Sequence, residues 1–222
     1  MSRMCKILLV LIISLVSSTA FAVEWTPLQL SLVNPVQLFP EETKVYGIRG
    51  NLIYGANKEM NGIDYGPINH TKGVTNGMQL GAAPFGGVNI TEELNGLQAG
   101  GIFGGVNISS GETKGLQISG LFGGVNYAGN VDGVQISGVW GGLNVADNLN
   151  GVQIAGILAG VNIAKDTNGL QLATIYNQAD SMSGLQLGLV NNCRKMRGVQ
   201  IGLLNIIRES ALPFFPVINA SF

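Results

Sequence analysis

Polar and apolar side chains alternate along the stretch from Leu149 to Ala164. Asn150, Val152, Ile154, Gly156, Leu158, Gly160 and Asn162 fall on one side of an extended chain, and Gly151, Gln153, Ala155, Ile157, Ala159 and Val161 on the other. A period of two marks a strand, because successive side chains leave opposite faces of the pleat. The first face is apolar in its middle and polar at both ends. It recurs as Lys114-Leu116-Ile118-Gly120-Phe122-Gly124-Asn126 and as Asp132-Val134-Ile136-Gly138-Trp140-Gly142-Asn144.

The phrase is one copy of a repeat. Aligned on glutamine, the clear copies carry Gln79, Gln98, Gln117, Gln135, Gln153, Gln171, Gln186 and Gln200, with Gln29, Arg49 and Asp64 as degenerate earlier members. Successive clear copies are 19, 19, 18, 18, 18, 15 and 14 residues apart, and each closes on an asparagine, from Asn89 to Asn205. Between phrases stand short polar tips such as Glu92-Glu93, Gly129-Asn130, Asp147-Asn148, Lys165-Asp166, Asp180-Ser181 and Arg194-Lys195, which hold most of the charge. If each tip is a tight hairpin, the phrases form an antiparallel meander. If each repeat is one coil of a stack, like residues lie above one another and the glutamines and asparagines form ladders.

The expectation adopted is an all-β fold, an antiparallel β-barrel of about 12 strands running from the strand near Leu28 to the C-terminal segment. The alternative is a β-solenoid of 14–19-residue coils. An even strand count and long alternating strands suit an outer-membrane barrel. The ending PFFPVINASF also alternates, with Phe214, Pro216, Ile218, Ala220 and Phe222 on one face, so Phe222 is a candidate assembly signal for a barrel, although Pro216 sits poorly inside a sheet. Against the barrel, Leu121, Val139 and Ile157 share the supposed wet face with Gln117, Gln135 and Gln153, whereas a solenoid with corners at Gly120, Gly138 and Gly156 lets the inward face switch.

Residues 1–22 read as a secretory signal peptide, with Arg3 and Lys6 ahead of an apolar run and Ala20-Phe21-Ala22 at its exit. Residues 23–222 then form one repeat-built domain, with clear repeats over 77–205 and a C-terminal strand over 214–222. Charged residues are only 11% of the chain, and removing Arg3 and Lys6 leaves 10 basic against 13 acidic side chains. No basic patch calls for nucleic acid. Cys193 is the one cysteine left, so no internal disulfide is expected; Ala146, Ala164 and Ala179 hold its slot in other copies.

Candidate chemistry is thin. His70 is the single histidine, in the loop-like segment PINHTKG, with no marked nucleophile beside it. One histidine and one cysteine cannot supply a zinc set, and FGGVN lacks the lysine of a phosphate cradle. No catalytic residue, metal or cofactor is expected, and an envelope lipase or acyltransferase fails for want of paired catalytic groups. The eight repeated glutamines are the candidate functional residues: pore lining in a barrel, an outward ladder in a solenoid, or mutual hydrogen bonding within the sheet. Phe103, Phe122, Trp140 and Tyr176 are candidates for an aromatic belt at a membrane rim.

The phrases GLQLGLVN (184–191) and GVQIGLLN (198–205) resemble the GxQxGxxN surface-repeat proteins of Gram-negative bacteria. The similarity covers about Gly77 to Asn205. It implies export and an outer-membrane or cell-surface position, and brings no activity, ligand or functional residue. Four extra residues in each copy between Gln79 and Asn162 depart from the short form. The expected function is therefore a non-enzymatic outer-membrane barrel, structural or a narrow pore, whose partners are outer-membrane lipid and the barrel-assembly machinery. The alternative is a surface or periplasmic solenoid serving as a binding or adhesion module.

Overall fold

The computed structural model describes residues 23–82 and 84–222; the signal peptide expected at 1–22 lies outside them. The first strands are β1 (Trp25–Val33), β2 (Val36–Gln37), β3 (Lys44–Asn57), β4 (Met60–Gly66), β5 (Ile68–Thr71), β6 (Val74–Gly81), β7 (Val88–Thr91) and β8 (Glu93–Ala99). Longer ones follow: β9 (Val106–Ile118), β10 (Val125–Ser137), β11 (Gly142–Ala155), β12 (Gly160–Ala173), β13 (Tyr176–Leu187), β14 (Val190–Ile207) and β15 (Phe214–Ser221).

The long strands pair parallel and in register, like residue over like residue. Asn126 faces Asn144 and Gln135 faces Gln153 between β10 and β11, and Asn162 and Gln171 continue the two columns in β12. The chain is thus a β-solenoid of about ten turns. This corrects the barrel expectation: among the described residues the sheet does not close, and antiparallel pairing is confined to its ends, where β2 lies on β1 and β15 on β14.

The reason lies in the two kinds of corner. The polar tips are not hairpins, because Asp147-Asn148 and Lys165-Asp166 lie inside continuous strands that bend while still pairing with the coil below. Each long strand therefore carries an asparagine half, a charged bend and a glutamine half. The second corner falls in the extra residues after glutamine, where strand pairing lapses over Gly138–Gly141 and Gly156–Ala159. Gly138, with φ +38, and Gly156, with φ +44, turn the chain there, and the alternation changes sense: Gln153 and Ala155 point inward before the Gly156 corner, Asn162 and Ala164 after it. An unbroken strand from Leu149 to Ala164 could not bury both Gln153 and Asn162, since an odd spacing puts them on opposite faces.

The cross-section has two sheets, a charged edge and an apolar edge. Just inside the charged edge runs a thin apolar seam, with Ala128, Val131, Ala146, Leu149 and Ala164 in one stretch and Ala179, Met182, Cys193, Met196 and Ile207 in another. Behind the charged bend, the glycine of each Gly-x-Gln sits directly over its counterpart. A Cβ added at Gly133 (φ +154) would lie 2.1 Å from the Gly115 carbonyl oxygen, a contact no side chain tolerates.

Gly133→Ala should therefore destabilise the fold by about 2–4 kcal/mol in urea unfolding. Gly50→Ala, whose Cβ meets only the end of Leu30 at 3.3 Å, should cost about 1 kcal/mol or less. Equal effects would contradict the stacked-corner geometry.

Candidate functional site: the amide core and the apolar edge

The eight glutamines singled out from sequence all lie in the interior with no exposed area. From Gln98 to Gln200, the Nε2 of each donates to the Oε1 of the glutamine one coil earlier: Gln98 to Gln79 at 2.8 Å, Gln135 to Gln117 at 2.8 Å, Gln200 to Gln186 at 2.7 Å. In seven of the eight the side-chain nitrogen also reaches across the core to a main-chain carbonyl of the asparagine sheet, as from Gln117 to Tyr127 at 3.3 Å.

The asparagines form a second ladder with the opposite sense. Asn126 Nδ2 donates forward to Asn144 Oδ1 at 2.8 Å, and Asn144 to Asn162 at 2.9 Å. Each also donates across the core, Asn126 to Ile136 O and Asn144 to Ile154 O, both at 2.8 Å. These carbonyl partners fix which amide atom is nitrogen, since a flipped amide would set oxygen against oxygen. One ladder donates backward and the other forward, so their stacked amide dipoles oppose each other.

The degenerate members occupy the same column. Gln29, Arg49, Asp64 and Gln79 are in register down β1, β3, β4 and β6. Gln79 Nε2 donates to the Asp64 carboxylate at 3.3 Å, so the donor end of the glutamine ladder meets a negative charge. Arg49 offsets that charge with two bonds to Asp64, Nε to Oδ1 at 2.8 Å and Nη2 to Oδ2, while its Nη1 reaches Asn57 at 3.2 Å. At the other end, Gln200 Oε1 is buried without a donor. The ladders line no lumen and present nothing outward, which removes both the pore-lining and the outward-ladder readings.

The outer surface inverts the usual arrangement of a soluble fold. The sequence puts no Asp, Glu, Lys or Arg in 115–131, 133–146, 151–164 or 169–179, so those charges stay at the bends. They stack there in pairs such as Lys165 to Asp147 at 2.7 Å. The opposite edge exposes apolar side chains coil after coil, and four of its aromatics form a continuous stack. Ring centroids are 6.5 Å apart from Phe85 to Phe103, 5.2 Å from Phe103 to Phe122 and 6.0 Å from Phe122 to Trp140, a ring that is 57% exposed. Tyr176 is not in this stack; it starts β13, with its hydroxyl donating to Gln178 and accepting from Asn192. Phe222 follows the end of β15, exposed, and the barrel-assembly role expected of it presupposes a barrel.

Two further residues sit differently from expectation or need placing. His70, expected in an exposed loop, is half-buried in β5, with the Tyr54 hydroxyl 2.9 Å from its Nδ1. Burial first, then the charges of Arg49 and Lys72, push its pKa below the ordinary value of 6.5. Cys193 lies over Ala179 in the apolar seam, and burial pushes its thiol up to about 12, so it is a packing residue with little thiolate character. Comparison of the chain with models of known protein families, with curated proteins and with solved structures finds no match.

Gln135→Leu strips a donor from Gln117, an acceptor from Gln153 and a donor from the Val145 carbonyl. It should cost about 2–4 kcal/mol in chemical unfolding. Gln200→Leu should cost visibly less, because its oxygen is unpartnered already; a larger loss at Gln200 would contradict the ladder.

His70 yields a pH prediction. A lowered folded-state pKa means that its contribution is fully present above about pH 6.5 and is lost as the pH falls through the lowered folded value, because the unfolded chain takes the proton first. Its imidazole signal, the only one in the protein, should titrate with a midpoint below 6.5 in NMR, and His70→Gln should flatten the stability profile between the two values. A midpoint at or above 6.5 would contradict the placement.

Proposed function

We propose that this protein is an exported, non-enzymatic β-solenoid of the envelope surface, acting as a binding module whose target is lipid. One observation carries the reading: hydrogen-bonding side chains fill the interior, the charges keep to one edge, and the opposite edge is a ridge of exposed Phe, Trp, Leu and Ile. Soluble monomers rarely expose a contiguous apolar patch of this kind. The leader expected at 1–22 and the resemblance to surface-repeat proteins support export.

Depth follows from the backbone. Main-chain groups between coils pair with one another, so the ridge enters hydrocarbon without stranding them. Among the described residues β15 pairs only with β14, and an unpaired strand edge disfavours full immersion of the stack. A seat of about 5–10 Å, as for interfacial helices, admits the ridge and leaves the charged edge in water.

Flotation of the 23–222 protein with phosphatidylethanolamine–phosphatidylglycerol vesicles tests this. The wild type should float at high and low salt alike. Trp140→Asp combined with Phe122→Asp, which removes roughly 3 kcal/mol of apolar transfer, should weaken partition about a hundredfold. Lys165→Glu on the opposite edge should leave it unchanged. A wild type that stays at the bottom of the gradient, or a double variant that still floats, defeats the proposal.

A further inference from the structure

Beside the apolar ridge, on the glutamine sheet, runs a groove of about 430 Å³ parallel to the solenoid axis. Gly101, Gly120, Gly138 and Gly156 form its floor. One wall is the outward column Ile118, Ile136, Ile154 and Leu172; the other is the inner flank of the ridge, Leu121, Val139 and Ile157. Thr174 stands at one end, its hydroxyl committed to the Gly156 and Ile157 carbonyls. The floor glycines are demanded by the corner, since a Cβ at Gly138 would meet the Gly141 carbonyl oxygen at 1.8 Å. An open channel is the consequence: the residue that turns each coil has no side chain to fill the space over it.

The groove offers an occupant almost no hydrogen bonds. Its main-chain groups are spent between coils: Leu121 N–H on Ile102 O at 2.8 Å, Val139 N–H on Leu121 O at 2.7 Å, and Ile157 N–H on Val139 O at 2.6 Å. The Ile118 and Ile136 carbonyls accept from Gly100 and Ser119, and also from Asn107 and Asn126 of the core. A peptide or glycan laid here would bury polar groups against a surface that cannot answer them, at about 1–3 kcal/mol for each. A hydrocarbon chain has none to bury. The walls repeat with each coil, about every 4.8 Å, so a straight, unbranched occupant meets the same surface along its length. The volume lies in the range of ordinary ligand pockets.

We propose that this groove holds a single unbranched acyl chain of an envelope amphiphile, drawn from the lipid layer in which the adjoining ridge sits. The assignment rests on the lipid-binding reading above and adds to it a discrete, saturable site on the glutamine sheet. Trp140 adjoins the wall residue Val139, so its fluorescence reports on the site.

The test uses the 23–222 protein carrying Trp25→Phe, so that Trp140 is the one remaining tryptophan, titrated with 9,10-dibromostearic acid below its micelle concentration. Saturable quenching at one chain per protein is the expected result. Ile154→Lys changes an outward, half-buried wall residue without touching the amide core, and should weaken binding at least about tenfold, corresponding to 1.4 kcal/mol or more. It should leave circular dichroism and vesicle flotation as in the parent. Linear, unsaturable quenching would overturn the groove site while leaving the ridge reading intact, and so would saturable quenching that Ile154→Lys does not weaken. Loss of flotation with retained stoichiometric quenching would overturn the lipid-surface reading alone. Sedimentation showing a stable dimer that Ile154→Lys dissociates would assign the groove to a second copy of the chain and overturn the proposal.

Discussion

A buried primary amide must place two donors and a carbonyl oxygen, and everything else in this fold follows from how that requirement is met. A lone glutamine in a dry interior costs about 1–3 kcal/mol for each unanswered group. A column of them answers itself, but only if every copy stands at the same height in its coil and neighbouring coils run the same way. Parallel, in-register stacking is therefore a condition of burying Gln135 and Asn144 at all. The cross-core bonds from each amide to the opposite sheet then set the spacing between the two sheets, so the polar groups act as the spacer that apolar side chains provide in other sandwiches. The column ends where the repeat decays, and there Arg49 and Asp64 take the same slots as a buried ion pair with complementary hydrogen bonds. Such a pair is weak evidence for stability by itself, but here it gives the last glutamine a charged acceptor.

Once amides occupy the interior, the apolar residues have few places inside to go. A few, among them Ala146, Leu149, Met182 and Ile207, fill the thin seam just inside the charged bend; most of the large ones line the outer faces and the edge opposite. This is why a chain with so little charge folds without a conventional hydrophobic centre, and why its exposed surface is selective. Water suits the bends, where Lys165 and Asp147 or Arg194 and Glu209 pair across coils. Hydrocarbon suits the ridge of Phe122 and Trp140. Amphipathicity that a helix expresses around its axis is expressed here between two edges of a flat coil, and the lipid-binding reading rests on that division.

Much of the fold was legible in the sequence. Aligning on Gly-x-Gln placed even the degenerate Gln29, Arg49 and Asp64 in the column they occupy. The asparagine closing each phrase marked the second column, and Gly138 and Gly156 were readable as corners. What alternation could not supply is which face points inward: period two is symmetric between faces, so the barrel reading set the glutamines towards a wet lumen and the outward-ladder reading set them on the surface, whereas they fill a dry interior and Val152 and Ile154 face out. The direction of pairing was hidden for a related reason. Polar tips of two residues suit a hairpin, but the same letters also suit a bend crossed by a continuing strand. The signal that separates the two readings, noted in the spacings but given too little weight, is the run of equal spacings with matching letters from Gln117 to Gln171. A meander has no use for identity at a fixed period, whereas a ladder needs the same amide in every coil. The apolar groove was out of reach, because it arises from stacking glycines that read singly as tight packing.

The direction of the coils can be measured with two labels. Asp147 and Lys165 sit on adjacent coils of one edge, with side chains 2.7 Å apart. In an antiparallel meander they would mark opposite ends of a strand of 12–16 residues, roughly 40–50 Å apart. Spin labels on cysteines at these two positions, in the protein with Cys193→Ala, should show strong dipolar broadening from a separation within about two coil spacings, roughly 10 Å before the label arms are counted. A separation beyond about 30 Å, most of a strand's length, would contradict the parallel stack and the amide ladders with it.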